Sequence, residues 1–186
     1  MRIAVYSGSF DPLHIGHLAI MEHLSRGEEF DLTYLVVSPQ NPLKSRENIG
    51  SADRRLAAAV EAVRRHPELK VRVDDIEFAL QPPHYTINTL DALREREPDN
   101  EFTLVIGADS LAGIGRWRDW RRILCEYGVA VYPRRGYDLD SIRRRLDEET
   151  GLLCRIKLTD APMVDISSTE IRRGIAEGRD VTQFLM

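Results

Sequence analysis

The 186-residue chain predicts an α/β fold of the doubly wound, Rossmann-like kind: a mostly parallel sheet with helices on both faces. Three observations predict it. Strand-like apolar runs alternate with helical patterns along the whole chain. The runs around Ile3, Leu35 and Val105 are apolar at successive positions, as strands covered on both faces require. Breakers end the runs, at Ser7-Gly8-Ser9, Ser38-Pro39, Gly107 and Pro133.

In chain order, Arg2–Tyr6 is the first strand. A helical pattern runs from about Gly16 to Ser25, with Leu18, Met21 and Leu24 on one face. Leu32–Val37 is the second strand, and a polar loop opens at Ser38-Pro39. Ser51-Ala52-Asp53 starts a helix to Arg65, with Leu56, Val60 and Val63 predicted on its inner side. Lys70–Val73 is a brief strand. Thr86–Glu97 is helical and stops at Pro98. Phe102–Ile106 and Val129–Tyr132 are buried-type strands, Ser141–Glu149 a helix, and Arg155–Leu158 a short strand. The last helix starts near Ser168 and N-caps on it. No repeat or linker divides the chain, so one domain over residues 1–186 is expected.

Charged residues make up 30% and the net charge is -4, which argues against a nucleic-acid binder held by a broad basic surface. Cys125 and Cys154 have no Cys or His neighbours at metal spacing and are expected as reduced, partly buried thiols. No apolar run is long enough to span a bilayer, and the N-terminus reads as a strand, which predicts a cytoplasmic protein.

Ligands of such sheets bind beyond the carboxyl ends of the strands. The first of those loops is Gly8-Ser9-Phe10-Asp11-Pro12-Leu13-His14-Ile15-Gly16-His17. Gly8 is expected to permit the turn, and Asp11-Pro12 to lead into the helix. His14 and His17, three apart, share one side of the helix start, and Gly16 leaves the backbone open between them. Free N–H groups and the helix dipole complete a polyphosphate site. Near the other end, Ile166-Ser167-Ser168-Thr169-Glu170-Ile171-Arg172 brings hydroxyls and a guanidinium to a second helix start.

The first segment resembles the T/S-F-D-P-x-H-x-G-H motif of the nucleotidyltransferase superfamily, and the second its I-S-S/A-T-x-I-R motif. Class I aminoacyl-tRNA synthetases share the H-x-G-H core, but the chain is short and lacks a K-M-S-K-S loop. The resemblance implies that His14, His17 and Arg172 handle the triphosphate, with Gly8, Ser9, Phe10, Gly16, Ser168 and Thr169 against ATP.

The middle of the chain resembles bacterial nicotinate mononucleotide adenylyltransferases. Pro83-His84-Tyr85-Thr86-Ile87-Asn88-Thr89-Leu90 is similar to their S/P-x-Y-T-x-x-T-L segment, and Val105-Ile106-Gly107-Ala108-Asp109-Ser110-Leu111 to their I-I-G-x-D-S-L. Pro39–Lys44 and Tyr132–Tyr137 match two further segments, and Trp117 stands at the family's spacing. In that family the chain continues past the last motif with a Pro-containing turn and a short helix, whereas this sequence stops at Met186. The implied roles are Ile106, Gly107 and Asp109 at ATP, Asp109 accepting from a ribose hydroxyl. Tyr85, Thr86, Trp117 and Arg134 fall at the mononucleotide, with Trp117 stacked on its ring, and Lys44 folds over the phosphates.

The expected reaction is direct in-line attack of the mononucleotide phosphate on the α-phosphorus of ATP, since no nucleophile is paired with a base. ATP carries Mg²⁺, no metal site of the protein's own is expected, and the partners are small molecules. A homo-oligomer stays open. So do nicotinamide mononucleotide or phosphopantetheine as acceptors, and a nucleotide-binding regulator without catalysis.

Overall fold

A computed structural model describes residues 1–39, 51–151 and 154–186. The strands are β1 (Arg2–Gly8), β2 (Leu32–Val37), β3 (Val71–Asp74), β4 (Glu101–Gly107), β5 (Val129–Tyr132) and β6 (Ile156–Leu158). They form one sheet in the order β3-β2-β1-β4-β5-β6, and every pairing is parallel. The order reverses between β1 and β4, so the carboxyl ends of these two strands flank the crevice where such sheets bind ligands.

The helices are α1 (Ile15–Arg26), α2 (Ala52–Arg64), α3 (Ile76–Ala79), α4 (Thr86–Arg96), α5 (Ala108–Ala112), α6 (Trp120–Arg122), α7 (Leu139–Thr150) and α8 (Ser168–Ala176). Alternate residues of each strand feed two cores, as the two-residue period of a strand dictates. Ile3, Val5, Tyr34 and Val36 pack on one face with Ile87, Leu90 and Leu93 of α4. Ala4, Tyr6, Leu35 and Val37 pack on the other with Ile20, Met21 and Leu24 of α1 and Ala59 and Ala62 of α2. The doubly wound expectation holds, with helices on both faces.

Three local expectations are corrected. Val60 is exposed, because α2 turns Arg55, Ala59 and Ala62 inward instead. The N-cap of α8 is Ser167, whose hydroxyl accepts from the Glu170 N–H at 3.2 Å, so Ser168 becomes the first helical residue. Short helices fill segments the sequence patterns leave as loops: α3, α5, a 3₁₀ turn at Ile114–Arg116, and α6 continuing into a π-turn at Ile123–Tyr127. Each is too short to show a helical period. Both cysteines are free, Cys154 buried and Cys125 partly so.

Candidate active site

The phosphate loop is built around its histidines. His14 N-caps α1: the Gly16 N–H donates to His14 Nδ1 at 3.1 Å, and the His14 N–H donates to His17 Nδ1 at 3.2 Å. This reciprocal cap satisfies two donors of the helix start. It also sets both rings with Nδ1 as acceptor, which leaves Nε2–H as the donor of each imidazole. The rings lie 3.7 Å apart, tilted by 31°. Burial, then the nearby Arg134 charge, lowers the His14 pKa to about 4, so His14 is a neutral donor at pH 7.

Two glycines have sharper roles than the turn and the open backbone expected of them. A Cβ on Gly16 would lie 3.0 Å from the His14 ring, and one on Gly8 would lie 3.0 Å from the Phe10 ring. The left-handed backbone falls on Phe10 (φ 46°) instead of Gly8. Phe10 is buried edge-on against Tyr6 and His17, with ring centroids 5.4 and 5.2 Å away.

The second motif docks directly on this loop. Arg172 Nη1 donates to the Asp11 carbonyl at 2.6 Å, and its Nη2 donates to Thr169 Oγ1 at 3.2 Å. The Ser168 hydroxyl donates to the Pro12 carbonyl at 3.1 Å. Leu185 makes an antiparallel bridge with His14, so the last residues of the chain also brace the loop.

Two cavities open at the carboxyl end of the sheet. The first is lined by Tyr6, His14, Gly16, His17, Tyr132 and Arg134, under residues 162–165. The second gathers Tyr85, Thr86 and Trp117 with Ser7, Gly8 and Ile106. Strand alternation at β1 helps to separate them, with Tyr6 facing one and Ser7 the other, while Gly8, which has no side chain, lines the second through its backbone. Gly8 and Ile106, expected against ATP, therefore line the aromatic cavity, because β1 and β4 end beneath it. Arg134, expected at the mononucleotide, lines the histidine cavity: its guanidinium stacks 5.1 Å over the Tyr132 ring. Asp109 bridges towards it, Oδ1 3.8 Å from Arg134 Nε, and folds against Gly107, where a Cβ would collide with its carboxylate. Ser9 is tied down by its carbonyl, and Lys44 lies outside the described residues.

Two residues that carry the site have no motif. Arg55 of α2 is buried and donates to the carbonyls of Ser9 (2.6 Å), Ser38 (2.7 Å) and Pro39 (2.9 Å), joining the loops after β1 and β2. Glu77 of α3 is buried and accepts from the hydroxyls of Ser7 (3.3 Å), Ser38 (2.5 Å) and Thr89 (2.8 Å).

A cytidylyltransferase-like family model matches residues 5–174. A protein of Bacteroides thetaiotaomicron named "Probable nicotinate-nucleotide adenylyltransferase" is 38% identical over 185 residues, covering 100% of this chain and 87% of its own. The chain belongs to the nicotinate-nucleotide adenylyltransferase family. A Flavobacterium johnsoniae protein of the same name is 35% identical over 100% of this chain and 92% of its own. Among solved structures, the Plasmodium falciparum nicotinic acid mononucleotide adenylyltransferase complexed with NaAD superposes with a TM-score of 0.79. It is 19% identical over 99% of this chain and 90% of its own, and shows the shared fold. The two end segments singled out in the sequence are joined here through Arg172 and Asp11.

Proposed function

We propose that the chain transfers the adenylyl group of ATP to nicotinate mononucleotide, releasing pyrophosphate and forming nicotinate adenine dinucleotide for NAD synthesis in the cytoplasm. The observation that carries this reading is the pair of cavities flanking the end of β1. One is rich in phosphate donors, the other is aromatic, and the consecutive residues Tyr6 and Ser7 line one each. ATP in the first and the pyridine in the second would bring the two phosphates together above β1.

A mononucleotide phosphate oxygen then attacks the α-phosphorus of ATP while the bond from that phosphorus to the bridging oxygen of the β-phosphate breaks. The reaction gains its rate from alignment and from donors at the developing charge. His14 and His17 supply Nε2–H donors, and Arg134 supplies charge beside them. Arg172 closes the phosphate loop from the far motif, and Lys44 would add a cation. Gly107, Asp109, Ser168 and Thr169 frame the ATP side. Trp117 and Tyr85 flank the pyridine ring, and the start of α4 at Thr86 offers N–H donors to its substituent.

Among the described residues no group of three or more His, Cys, Asp and Glu side chains could hold a metal ion. Mg²⁺ would enter with ATP, held by phosphate oxygens, which are the hard ligands it prefers. No helix among the described residues is long and apolar enough to cross a membrane.

The test is pyrophosphate release with ATP and nicotinate mononucleotide, run beside nicotinamide mononucleotide and phosphopantetheine. Release with the first at the highest kcat/KM supports the reading. ATP binding with no release from any acceptor would identify a regulator instead.

A further inference from the structure

One buried carboxylate holds both the floor and a wall of the aromatic cavity. Glu77 of α3 is 2% exposed and lines the cavity beside Ser7 and Ser38. Its Oε1 accepts from the Ser7 hydroxyl at the end of β1 (3.3 Å) and from Thr89 Oγ1 of α4 (2.8 Å). Its Oε2 accepts from the Ser38 hydroxyl just past β2 (2.5 Å). A carboxylate offers acceptors on both oxygens, so it can gather three hydroxyl donors where an amide has a single acceptor oxygen.

Each of the three bonds leads to a surface of the cavity. The Thr89 N–H donates to the Tyr85 carbonyl at 3.3 Å, and Tyr85 N-caps α4 without a side-chain hydrogen bond. The start of α4, which carries Tyr85 and Thr86 into the cavity, is therefore fixed to the sheet through Thr89 and Glu77. At the floor, the Ser38 N–H donates to the Gly8 carbonyl at 2.9 Å, which joins the ends of β1 and β2. Glu77 is itself braced from behind. The Ile76 N–H donates to Asp74 Oδ1 at 3.0 Å, and Arg96, the last residue of α4, donates to both Asp74 oxygens at 3.1 and 2.6 Å. The segment from Asp74 to Glu77 is thus tied to both halves of α4, and the carboxylate has little freedom to follow a displaced hydroxyl.

We infer that Glu77 is a positioning residue for the mononucleotide: it sets the spacing between the α4 wall, with Tyr85 and Thr86, and the β1 floor, with Ser7 and Gly8. This role rests on the reading of the aromatic cavity as the mononucleotide site. A flat ring held in such a slot is sensitive to its width, because a gap of about 0.5–1 Å already forfeits a large part of the contact energy. A misplaced ring also misaligns the phosphate that must attack. Thr89 belongs to the same clamp. It is the last threonine of the Pro83–Leu90 segment and is buried outside the cavity lining, so its hydroxyl acts on the site through Glu77.

The experiment measures kcat, KM for nicotinate mononucleotide and KM for ATP, beside thermal melting, in the native chain and in Thr89→Val, Thr89→Ser, Glu77→Gln and Glu77→Ala. Thr89→Val keeps the side-chain shape and loses the donor. It should raise KM for the mononucleotide about 5-fold or more, the scale of one lost hydrogen bond, and change KM for ATP by less than about 2-fold. Thr89→Ser restores the hydroxyl and should recover most of the loss. Glu77→Gln keeps one acceptor oxygen and should raise the mononucleotide KM about 10-fold. Glu77→Ala leaves three hydroxyls without their acceptor and should lower kcat/KM for the mononucleotide on the order of 10²-fold. A merely structural Glu77 would lower the melting temperature and the active fraction with both KM values native. That result in Thr89→Val and Glu77→Gln overturns the inference while leaving the function standing, and so do equal increases in both KM values. A Thr89→Ser variant as impaired as Thr89→Val would assign the effect to packing and overturn it too. If Glu77→Ala fails to fold, Thr89→Val and Glu77→Gln still decide. No pyrophosphate release by the native chain with nicotinate mononucleotide overturns the function and the inference with it.

Discussion

Arg172 reaches back 161 positions to donate through Nη1 to the Asp11 carbonyl at 2.6 Å. Its other terminal nitrogen is held by Thr169 Oγ1, so the guanidinium ties the first turn of α8 to the loop ahead of His14. The contact makes one structural unit of two segments from opposite ends of the chain. It also orders the loop before any nucleotide arrives.

Replacing Arg172 by alanine should therefore impair catalysis more than stability. Turnover should fall on the order of 10²-fold, in line with the loss of one donor from a charge-stabilising site. Arg172→Lys keeps the charge but cannot serve both acceptors, and should recover only part of the rate. Steady-state rates beside urea unfolding separate the effects. A variant with native turnover would remove Arg172 from the mechanism.

The low pKa of His14 makes the folded chain sensitive to acid. In the unfolded chain His14 takes up a proton near pH 6.5, whereas in the folded chain it does so only near pH 4. The unfolded state thus binds more protons between these values, and stability falls as pH drops from about 6.5 to about 4. The full effect of this one group is about 3 kcal/mol, from about 1.4 kcal/mol for each pKa unit. His14→Asn keeps an N-cap acceptor but does not titrate. Urea unfolding at pH 7 and pH 4.5 should show a distinctly smaller loss in that variant than in the native chain, and equal losses would contradict the assignment.

Arg55 is the structural counterpart of Arg172. Its three carbonyl acceptors lie on two different loops, and burial lowers its pKa against the pull of the Asp11 charge. Arg55→Met keeps much of the volume but leaves the Ser9, Ser38 and Pro39 carbonyls without their donor. The expected loss is about 2 kcal/mol or more, seen as a melting temperature lower by about 5 °C. A melt within a degree of the native chain would show that water replaces the guanidinium at no cost.

Much of this arrangement was legible in the sequence, and the boundary has a physical cause. The alternation of strand-like runs with helical patterns marked all six strands; β1, β2 and β4 stood out because strands covered on both faces must be apolar at successive positions, whereas β3 and β6 carry exposed Arg72 and Lys157 and are brief. His14, His17 and Arg172 stood out because their roles depend on fixed spacing at helix starts, which short contiguous segments record. Trp117, Tyr85 and Thr86 were expected together and do line one cavity. Arg55 and Glu77 could not be found this way, since their partners are backbone carbonyls and hydroxyls on other loops, 12 to 70 residues away. Arg134 lines the histidine cavity and not the one with Trp117 and Tyr85, because its loop follows β5 and its side chain turns over Tyr132, a direction that sequence does not encode. Ser167 displaced Ser168 as the cap because two adjacent serines offer the same chemistry, and only the backbone decides which one leaves the helix.

The two-cavity arrangement makes one further demand, on Trp117. It packs against the core on one side and lines the cavity with Tyr85 and Thr86 on the other, away from the histidines. If the pyridine ring stacks on it, removing the indole should weaken the mononucleotide and spare ATP. Trp117→Ala should raise KM for nicotinate mononucleotide about 10-fold or more, the scale of a lost aromatic stack plus its buried area, with KM for ATP changed by less than about 3-fold. Trp117→Phe retains an aromatic face and should fall between the two. Parallel KM increases for both substrates would mean that the variant had disturbed the floor shared by the cavities, and that the indole does not define the ring site. The ratio of the two constants is therefore the quantity to measure, since it cancels any common loss of folded enzyme.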